Sequence, residues 1–541
     1  MMNKDIKKYT VLVADDSRLV TSSVATILRQ IGFVSISYAY KPFDVIQQCH
    51  QNTFDIIICD YNFQTQLTGY QLLEELKHAQ ILKSNTIFMF LTGENDYNVV
   101  RSIVDSEPDD YLLKPFNKQF FIKRIFSTLK RKLALAPIFE KLAEFDFSAV
   151  VRECDDLQPF HPEYSKLIRK HKASALLKSK QFNKAQKEYE SLLEEDDLDW
   201  IKTGLASTLI ETDQVGEARE MLNLVKSKKD NPYFHDEMSN IYAIEDDLPN
   251  AIEHLKQSAM LLDAGAHREL VIANLSIAAE AYQDAFTYMK RYYKKNINTF
   301  RGGFYTQINY MRTFLYKQPL GGPINLFEGK FTSYNSILND LGKAPELILQ
   351  NKLISAHIAL IKGDLKTATL NIKQALNNTS DFHFYDFYHL CFLLEQCSFL
   401  SETPTFVKRL EDSINQNQHP SIIRSQIQML NSFKERLQAS QQHLSNIRKE
   451  MVLMKSSDRL TKDSHIDYYL DIHDLLPHSK NTCLAIIKLS ALLSTPYEGK
   501  HDIRIKINKC NDVLVNLYTQ EELNSINYNQ ILHRARSLAT Y

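Results

Sequence analysis

The sequence predicts a small α/β domain with a parallel sheet, followed by a large region built from helices. Two observations support this division. In the first 134 residues, short apolar runs rich in β-branched residues alternate with stretches of helical spacing, whereas helical amphipathicity dominates from residue 165 onward. The chain also has only 14 glycines in 541 residues. That is well below the usual fraction of about 7% and favours helices over sheets and long loops.

The α/β part contains five candidate strands. Each is a short, continuous apolar run, and stretches with helical spacing separate one from the next. Such strands are typical of a doubly wound parallel sheet covered by helices on both faces. In these sheets, ligands bind beyond the carboxyl ends of the strands. The predicted strands cover residues 9–14, 33–39, 54–59, 85–91 and 110–113.

Polar residues stand at the end of four of these strands. Asp15 and Asp16 follow the first, Asp60 ends the third, Thr92 ends the fourth and Lys114 ends the fifth. Because the strands are expected to be parallel, these side chains should converge at one edge of the sheet. Three crowded carboxylates require a cation, and Mg²⁺ prefers such oxygen ligands.

The motifs around these residues resemble the receiver domain of two-component response regulators. They read VADDS at 13–17, ICDYN at 58–62, FLTGE at 90–94 and DDYLLKPF at 109–116. The resemblance covers residues 8–132 and implies a flavodoxin-like, five-stranded sheet in the order 2-1-3-4-5. It also implies that a sensor histidine kinase phosphorylates an aspartate, as in other aspartyl-phosphate proteins.

The resemblance assigns roles to individual residues. Asp60 would accept the phosphoryl group, while Lys114 and Mg²⁺ neutralise the charge that develops during transfer. The metal ligands would be Asp15, Asp16, Asp60 and the backbone carbonyl of Asn62. The dipeptide Lys114-Pro115 matches the family position of a cis peptide.

Further roles concern signalling and hydrolysis. Thr92 would bind the phosphoryl oxygens, and Tyr111 would turn inward as a switch, unless it is simply a solvent-facing aromatic. Asn62 and Glu94 could position the water that hydrolyses the acyl phosphate, or they could be ordinary polar residues of loops. The sequence departs from the family after the acceptor, because FQTQLTG lacks a proline and Gly69 lies nine residues after Asp60, one more than usual.

The helical region carries a repeat of 33 to 34 residues. Alanines recur at one register position, with a small residue twelve before, an apolar residue three before and another four after. This register resembles the tetratricopeptide repeat (TPR), in which small residues let paired helices approach closely. The alanines are Ala185, Ala218, Ala251, Ala285 and Ala368, and the small residues are Ala173, Ala206, Ser239, Ala273 and Ala356.

The predicted organisation has five segments. A receiver domain at 8–132 is followed by a helical connector at 133–165, which has no Gly-Ser linker and should hold the two parts together. TPR-like repeats follow at 166–300, an interruption with two Gly-Gly pairs at 301–345, and further TPR-like or helical repeats at 346–541. No repeat register can be assigned beyond residue 377.

Composition and motif searches restrict the function. The formal net charge of −1 predicts no nucleic-acid or membrane binding, and no apolar run is long enough to span a membrane. Seven cysteines without a CxxC pair indicate a cytoplasmic protein. There is no catalytic signature and no clustered Cys/His motif, and His161, His235 and His254 are interpreted as isolated residues.

These observations predict a response regulator that is not an enzyme, apart from self-phosphorylation and autodephosphorylation. The layout resembles VieB-type response regulators with TPRs. Its superhelix would act by binding protein partners in its groove, and could modulate phosphotransfer to another regulator. The alternative is that the C-terminal half provides an unrecognised enzymatic or DNA-binding output.

Overall fold

The computed structural model describes residues 6–65, 67–93, 97–262, 265, 267–318, 347–400, 402–456, 462–493, 496–499 and 501–538. The chain divides into two compact units. The first comprises Met1–Ile272 and Arg291–Gly303, and the second comprises Ala273–Lys290 and Phe304–Tyr541.

The first unit begins with a parallel five-stranded sheet. Its order is β2-β1-β3-β4-β5, so the predicted α/β class and strand order are confirmed. All four strand pairs are parallel, and β1 pairs with both β2 and β3. The strands are β1 Thr10–Ala14, β2 Ser35–Ala39, β3 Ile56–Asp60, β4 Ile87–Thr92 and β5 Asp110–Leu113.

Five helices connect and flank the strands. Polar side chains cap three of them: Ser17 accepts from Val20 N at the start of α1, Asn117 accepts from Phe120 N at the start of α5, and Thr68 forms a capping box with Gln71 at the start of α3. The helices are α1 Arg18–Gln30, α2 Pro42–Gln51, α3 Gly69–His78, α4 Tyr97–Asp105 and α5 Lys118–Ala134.

Both faces of the three inner strands, β1, β3 and β4, are buried. Alternate residues of β3 enter different clusters, with Ile56 and Ile58 on one face and Ile57 and Cys59 on the other. This explains why these strands are continuous apolar runs, because neither of their faces meets water. On the inner strands, a polar side chain can therefore reach solvent only where the strand ends.

Helical hairpins fill the rest of the first unit. Their helices are α6 Ala136–Ala143, α7 Phe147–Leu157, α8 Ser165–Lys178, α9 Phe182–Glu195, α10 Asp199–Glu211, α11 Val215–Asn223, α12 Pro232–Ile244 and α13 Leu248–Leu261, followed by α14 His267–Ala278 and α15 Tyr282–Asn296, which contribute residues to both units. An all-helical region after the parallel sheet is thus confirmed.

The hairpins follow the register read from the sequence. All ten small residues at the two repeat positions are buried. The apolar residue three before each alanine is the first residue of the second helix in its hairpin: Phe182, Val215, Leu248, Tyr282 and Leu365. Small side chains thus lie where the paired helices approach each other.

The turns of these hairpins share one backbone conformation. The residue two positions before each second helix has a positive φ: Lys180 (59°), Asp213 (63°), Asp246 (61°), Glu280 (56°) and Gly363 (77°). Only one of these is the glycine that this conformation favours. Phe145 (56°) occupies the same place before α7, so the connector contains a hairpin with the same turn.

The second unit is also helical in its described part. Its helices are α16 Phe304–Tyr316, α17 Ile348–Ile361, α18 Leu365–Leu376, α19 Phe384–Gln396, α20 Thr403–Asp412, α21 Pro420–Ser456, α22 Lys462–Leu475, α23 Lys480–Ser490, α24 Ile503–Leu517, α25 Gln520–Ser525 and α26 Tyr528–Leu538. The predicted interruption begins with α16, and its residues 319–345 lie outside the described residues. Within the described ranges, no helix has the length and hydrophobicity needed to cross a membrane.

Candidate functional site

The carboxyl edge of the sheet brings the predicted polar residues together. Asp60 is the last residue of β3 and Thr92 the last of β4, while Asp15 and Lys114 directly follow β1 and β5. Lys114 Nζ donates to Asp15 Oδ2 at 2.7 Å and to Asp60 Oδ1 at 2.9 Å. One ammonium therefore links two strand ends that are 45 residues apart in sequence.

Three carboxylates form an acidic cluster beside this ammonium. One oxygen each from Asp15, Asp16 and Asp60 lies within 4.8 Å of the others. Asp15 is 1% and Asp60 7% exposed, whereas Asp16 faces solvent. Asp15 Oδ1 also accepts from Ser17 N at 2.9 Å. Asp16 is thus the solvent-facing member of an otherwise buried cluster.

Burial and charge act on Asp60 in opposite directions. Burial raises the pKa of the Asp60 carboxyl, and the Lys114 ammonium opposes this, but the net shift is upward. Burial alone would lower the pKa of Lys114, yet its hydrogen bonds to Asp15 and Asp60 raise it overall. The effect of burial on Asp60 thus outweighs that of the ammonium beside it.

The donor set fits a magnesium ion. Hard oxygen donors from three carboxylates beside a single ammonium suit this ion. Asn62, whose carbonyl is the fourth predicted ligand, lies in the loop after β3, and its side-chain Oδ1 accepts from Gln64 N at 3.1 Å. Its role as a ligand stays a prediction.

The two predicted switch residues differ in exposure. Thr92 is buried, and its carbonyl oxygen accepts from Lys114 N at 2.6 Å. Tyr111 is half-buried and packs against the cluster that contains Phe88 and Phe90. The peptide between Lys114 and Pro115 is cis. Glu94 lies outside the described residues.

Gly69 connects the acidic site to α3. Its N–H donates to the Tyr61 carbonyl at 2.8 Å. A Cβ at this position would lie 2.8 Å from the Asp60 carbonyl oxygen and 2.7 Å from the Phe90 ring. A side chain would therefore displace the backbone of Asp60, so only glycine fits, even though the loop is one residue longer than the family pattern.

Comparison with known proteins identifies this domain. The family described as "Response regulator receiver domain" matches residues 11–126. Residues 11–126 are a receiver domain. Chemotaxis protein CheY of Pseudomonas aeruginosa is 24% identical over 121 residues, which cover 22% of this chain and 96% of that protein. CheY-3 of Vibrio cholerae is 26% identical over 142 residues, which cover 26% of this chain and 98% of CheY-3.

Regulatory protein VanRB of Enterococcus faecalis is 34% identical over 90 residues. That match covers 17% of this chain and 39% of VanRB, so it extends over well under half of the relative. The receiver domain indicates a two-component response regulator, and phosphorylation of an aspartate is the general function of such domains. The predicted combination of a receiver domain with a helical repeat region is confirmed.

Through α3, the receiver domain contacts the segment that follows α15 in the first unit. Glu74 forms a bidentate ion pair with Arg301, in which the two N–O distances are 2.7 and 2.9 Å. Glu75 Oε1 accepts from Phe300 N at 2.6 Å, and the rings of His78 and Phe300 stack at 3.8 Å. We call these residues the α3 contact. A planar guanidinium paired with a carboxylate gives this contact a defined geometry.

Other bonds extend the same contact. Gln71 Nε2 donates to the Lys295 carbonyl at 2.6 Å, and Gly265 N donates to the Tyr70 hydroxyl at 2.9 Å. The Tyr233 hydroxyl donates to Asp105 at the end of α4. The sequence showed only that no flexible linker separates the two parts. It carried no sign of the helices that meet, because these partners are 128 to 227 residues apart.

The structure also corrects the interpretation of the histidines and cysteines. His235 and His254 are not isolated, because their Nδ1 atoms lie 3.0 Å apart. His473, Cys483 and Cys510 form a cluster in the second unit. Their separations of 10 and 27 residues match no motif, and they meet only because three helices pack together.

Proposed function

We propose that this protein is a phosphorylation-controlled response regulator whose output is protein binding by its helical repeats. Asp60 would accept a phosphoryl group from a histidine kinase, with Asp15, Asp16, Asp60 and the Asn62 carbonyl holding Mg²⁺. The observation that carries this proposal is the Lys114 ammonium bonded to both Asp15 and Asp60 at the carboxyl edge of a receiver sheet.

The side chains around Asp60 suit this reaction. The Asp60 carboxylate is held at the end of a buried strand, which fixes its position for attack on phosphorus. Lys114 would move from its two carboxylates toward the incoming phosphoryl oxygens, and Thr92 would donate a hydrogen bond to them. Bound Mg²⁺ would neutralise the negative charge that accumulates on the transferring group.

Phosphorylation of Asp60 tests this first step. The full chain is incubated with acetyl phosphate and Mg²⁺, and peptide mass spectrometry measures the phosphorylated fraction. Asp60 should carry the acid-stable, hydroxylamine-sensitive label, and Asp60→Asn should carry none. A label that persists on another residue in the Asp60→Asn variant would overturn the proposal.

We infer that the α3 contact transmits the signal. The chain leads from Asp60 through Gly69 into α3, and from Thr92 into α4. Both helices bond to the helical part of the first unit, α3 through Glu74 to Arg301 and α4 through Asp105 to Tyr233. A phosphoryl group can shift the output only if these bonds differ in free energy between the phosphorylated and the unphosphorylated protein. The close fit of Gly69 against the Asp60 carbonyl couples the phosphorylation site to α3.

Hydrogen exchange tests this step. Beryllofluoride with Mg²⁺ mimics the phosphoryl group, and exchange is followed in peptides covering 69–78 and 295–301. Faster exchange is expected in wild type and no change in Asp60→Asn. Arg301→Gln should show the fast rate without the mimic. Identical exchange with and without the mimic in wild type would show that α3 carries no signal.

The described hairpins offer a groove for a protein partner. It measures about 440 Å³ and is lined by residues of α9, α10 and α11. Its lining includes the apolar residues Leu193, Met221 and Leu224 together with four exposed glutamates, without any lysine or arginine: Glu190, Glu194, Glu217 and Glu220. This combination favours a basic amphipathic helix of a partner.

Charge reversal tests the groove. Fluorescence anisotropy measures binding of a labelled amphipathic Lys/Leu peptide to wild type and to a Glu190→Lys, Glu217→Lys double variant. Binding should weaken strongly in the double variant, and salt should weaken it in wild type. Glu140→Lys, at an exposed residue outside the groove, should leave peptide binding unchanged. Equal affinity in all three proteins would exclude this groove.

A further inference from the structure

A buried His/Cys cluster lies in the second unit, far in sequence from the receiver site. His473 is on α22 (Lys462–Leu475), Cys483 on α23 (Lys480–Ser490) and Cys510 on α24 (Ile503–Leu517). One donor atom of each lies within 4.8 Å of the other two. The cysteines are 0% and the histidine 2% exposed. Three separate helices thus direct thiol and imidazole donors to one interior point.

The imidazole of His473 is the second observation. Neither its Nδ1 nor its Nε2 has a hydrogen-bond partner. Buried polar atoms are nearly always hydrogen-bonded, because leaving them unsatisfied costs free energy. Neighbouring histidines obey this rule: His478 Nδ1 lies 2.6 Å from the Gln396 carbonyl oxygen, and His501 Nε2 lies 2.9 Å from Asp471 Oδ1. His473 is instead placed against two thiols, which are weak hydrogen-bonding groups.

We propose that His473, Cys483 and Cys510 bind a Zn²⁺ ion. Two thiolates and one imidazole are a recognised zinc donor set, and thiolates disfavour Mg²⁺ and Ca²⁺, which prefer oxygen. The two thiolate charges would balance the charge of the ion, so that a neutral group is buried. The three donors leave one position of a tetrahedral ion for a water molecule or another ligand.

The surrounding structure holds these helices together without the ion. His501 bonds to Asp471 of α22, and Lys506 of α24 forms an ion pair with Asp474 of α22. The donors are therefore positioned in advance, which favours binding. It also means that substitution of one donor should leave the helices folded, so that loss of metal can be separated from loss of structure.

Metal analysis of the full chain tests the proposal. The protein is purified without chelators, and elemental analysis measures zinc per chain. Equimolar zinc is expected in wild type. After removal of zinc, added Co²⁺ should produce visible d–d bands and a near-ultraviolet sulfur-to-cobalt band. The sulfur band reports thiolate ligation alone, so Co²⁺ in the carboxylate cluster of the receiver cannot produce it.

Matched variants separate the cluster from other cysteines. Cys483→Ser, Cys510→Ser and His473→Asn should each lose equimolar zinc while keeping the wild-type far-ultraviolet circular dichroism. Cys391→Ser replaces another buried free cysteine and should keep both the metal and the sulfur band. Three results would overturn the proposal: wild type without zinc and without the sulfur band, equimolar zinc retained by all three variants, or a Cys483–Cys510 disulfide in peptide mass spectra.

Discussion

The receiver domain and the helical hairpins use their sequences in different ways. In the receiver, the residues that carry the chemistry stand at strand ends, and the Lys114 ammonium joins two of them. In the hairpins, residues without chemistry recur every 33 or 34 positions and are buried at helix contacts. Replacement of the acceptor Asp60 should therefore remove function and leave the fold. A substitution at a repeat position should weaken the fold first.

The largest expected effect lies at Asp60. Asp60→Asn should reduce phosphorylation by acetyl phosphate to background, because the amide cannot act as the nucleophile. The thermal midpoint should not fall, because the substitution removes one negative charge from a crowded acidic cluster. Asp44→Asn, on α2 of the same domain, is the matched control and should be phosphorylated normally. Unfolding of Asp60→Asn would mean that chemistry and stability are not separable here.

Lys114 should connect function with stability. Lys114→Met leaves Asp15 and Asp60 without their shared cation, so the free energy of unfolding should fall by about 3 kcal/mol in EDTA. Mg²⁺ should restore a large part of that loss, because it replaces the missing positive charge. Urea unfolding with and without Mg²⁺ measures both values. A loss of equal size in both buffers would contradict a cation site at this edge.

A repeat position should behave in the opposite way. Ala206→Leu adds a large side chain where α10 packs in its hairpin, and overpacking of this kind costs about 2 kcal/mol. Phosphorylation of Asp60 should stay at the wild-type level. Ala143→Leu, at an exposed helical alanine, should cost little. If both substitutions had the same effect on the unfolding midpoint, the repeat register would not describe the packing.

The smallest effect is a pH dependence within the hairpins. Burial raises the pKa of Glu237 from 4.5 to about 7, so this carboxyl binds a proton more tightly in the folded state. The stabilisation that comes from this tighter proton binding is complete below about pH 4.5, and it is lost as the pH rises through 7. Glu237→Gln should therefore be more stable than wild type above pH 7. The gain should be only about 1 kcal/mol, since the side chain is only partly shielded from water.

The difference in stability between Glu237→Gln and wild type should disappear as the pH falls toward 4.5. Thermal unfolding at several pH values would measure it. Glu163→Gln, at an exposed glutamate, serves as the control and should follow wild type throughout. A Glu237→Gln variant with the same stability as wild type at pH 8 would mean that the carboxyl is solvated in the folded protein.

The sequence by itself determined the elements and their registers. Hydrophobic periodicity is local, so the strands, the five residues at their ends and the small residues of the repeat register could all be read without coordinates. The connector was the partial exception. Its sequence predicted a helical segment, but the left-handed turn at Phe145 was visible only in the backbone.

Only the tertiary structure decided which distant surfaces meet. Glu74 and Arg301 are ordinary surface charges in the sequence, and His473, Cys483 and Cys510 fall at spacings that no motif describes. Their proximity depends on the packing angles of several helices, to which residues all along the chain contribute. Local patterns therefore specify each element, whereas contacts between elements depend on the sum of many packing interactions.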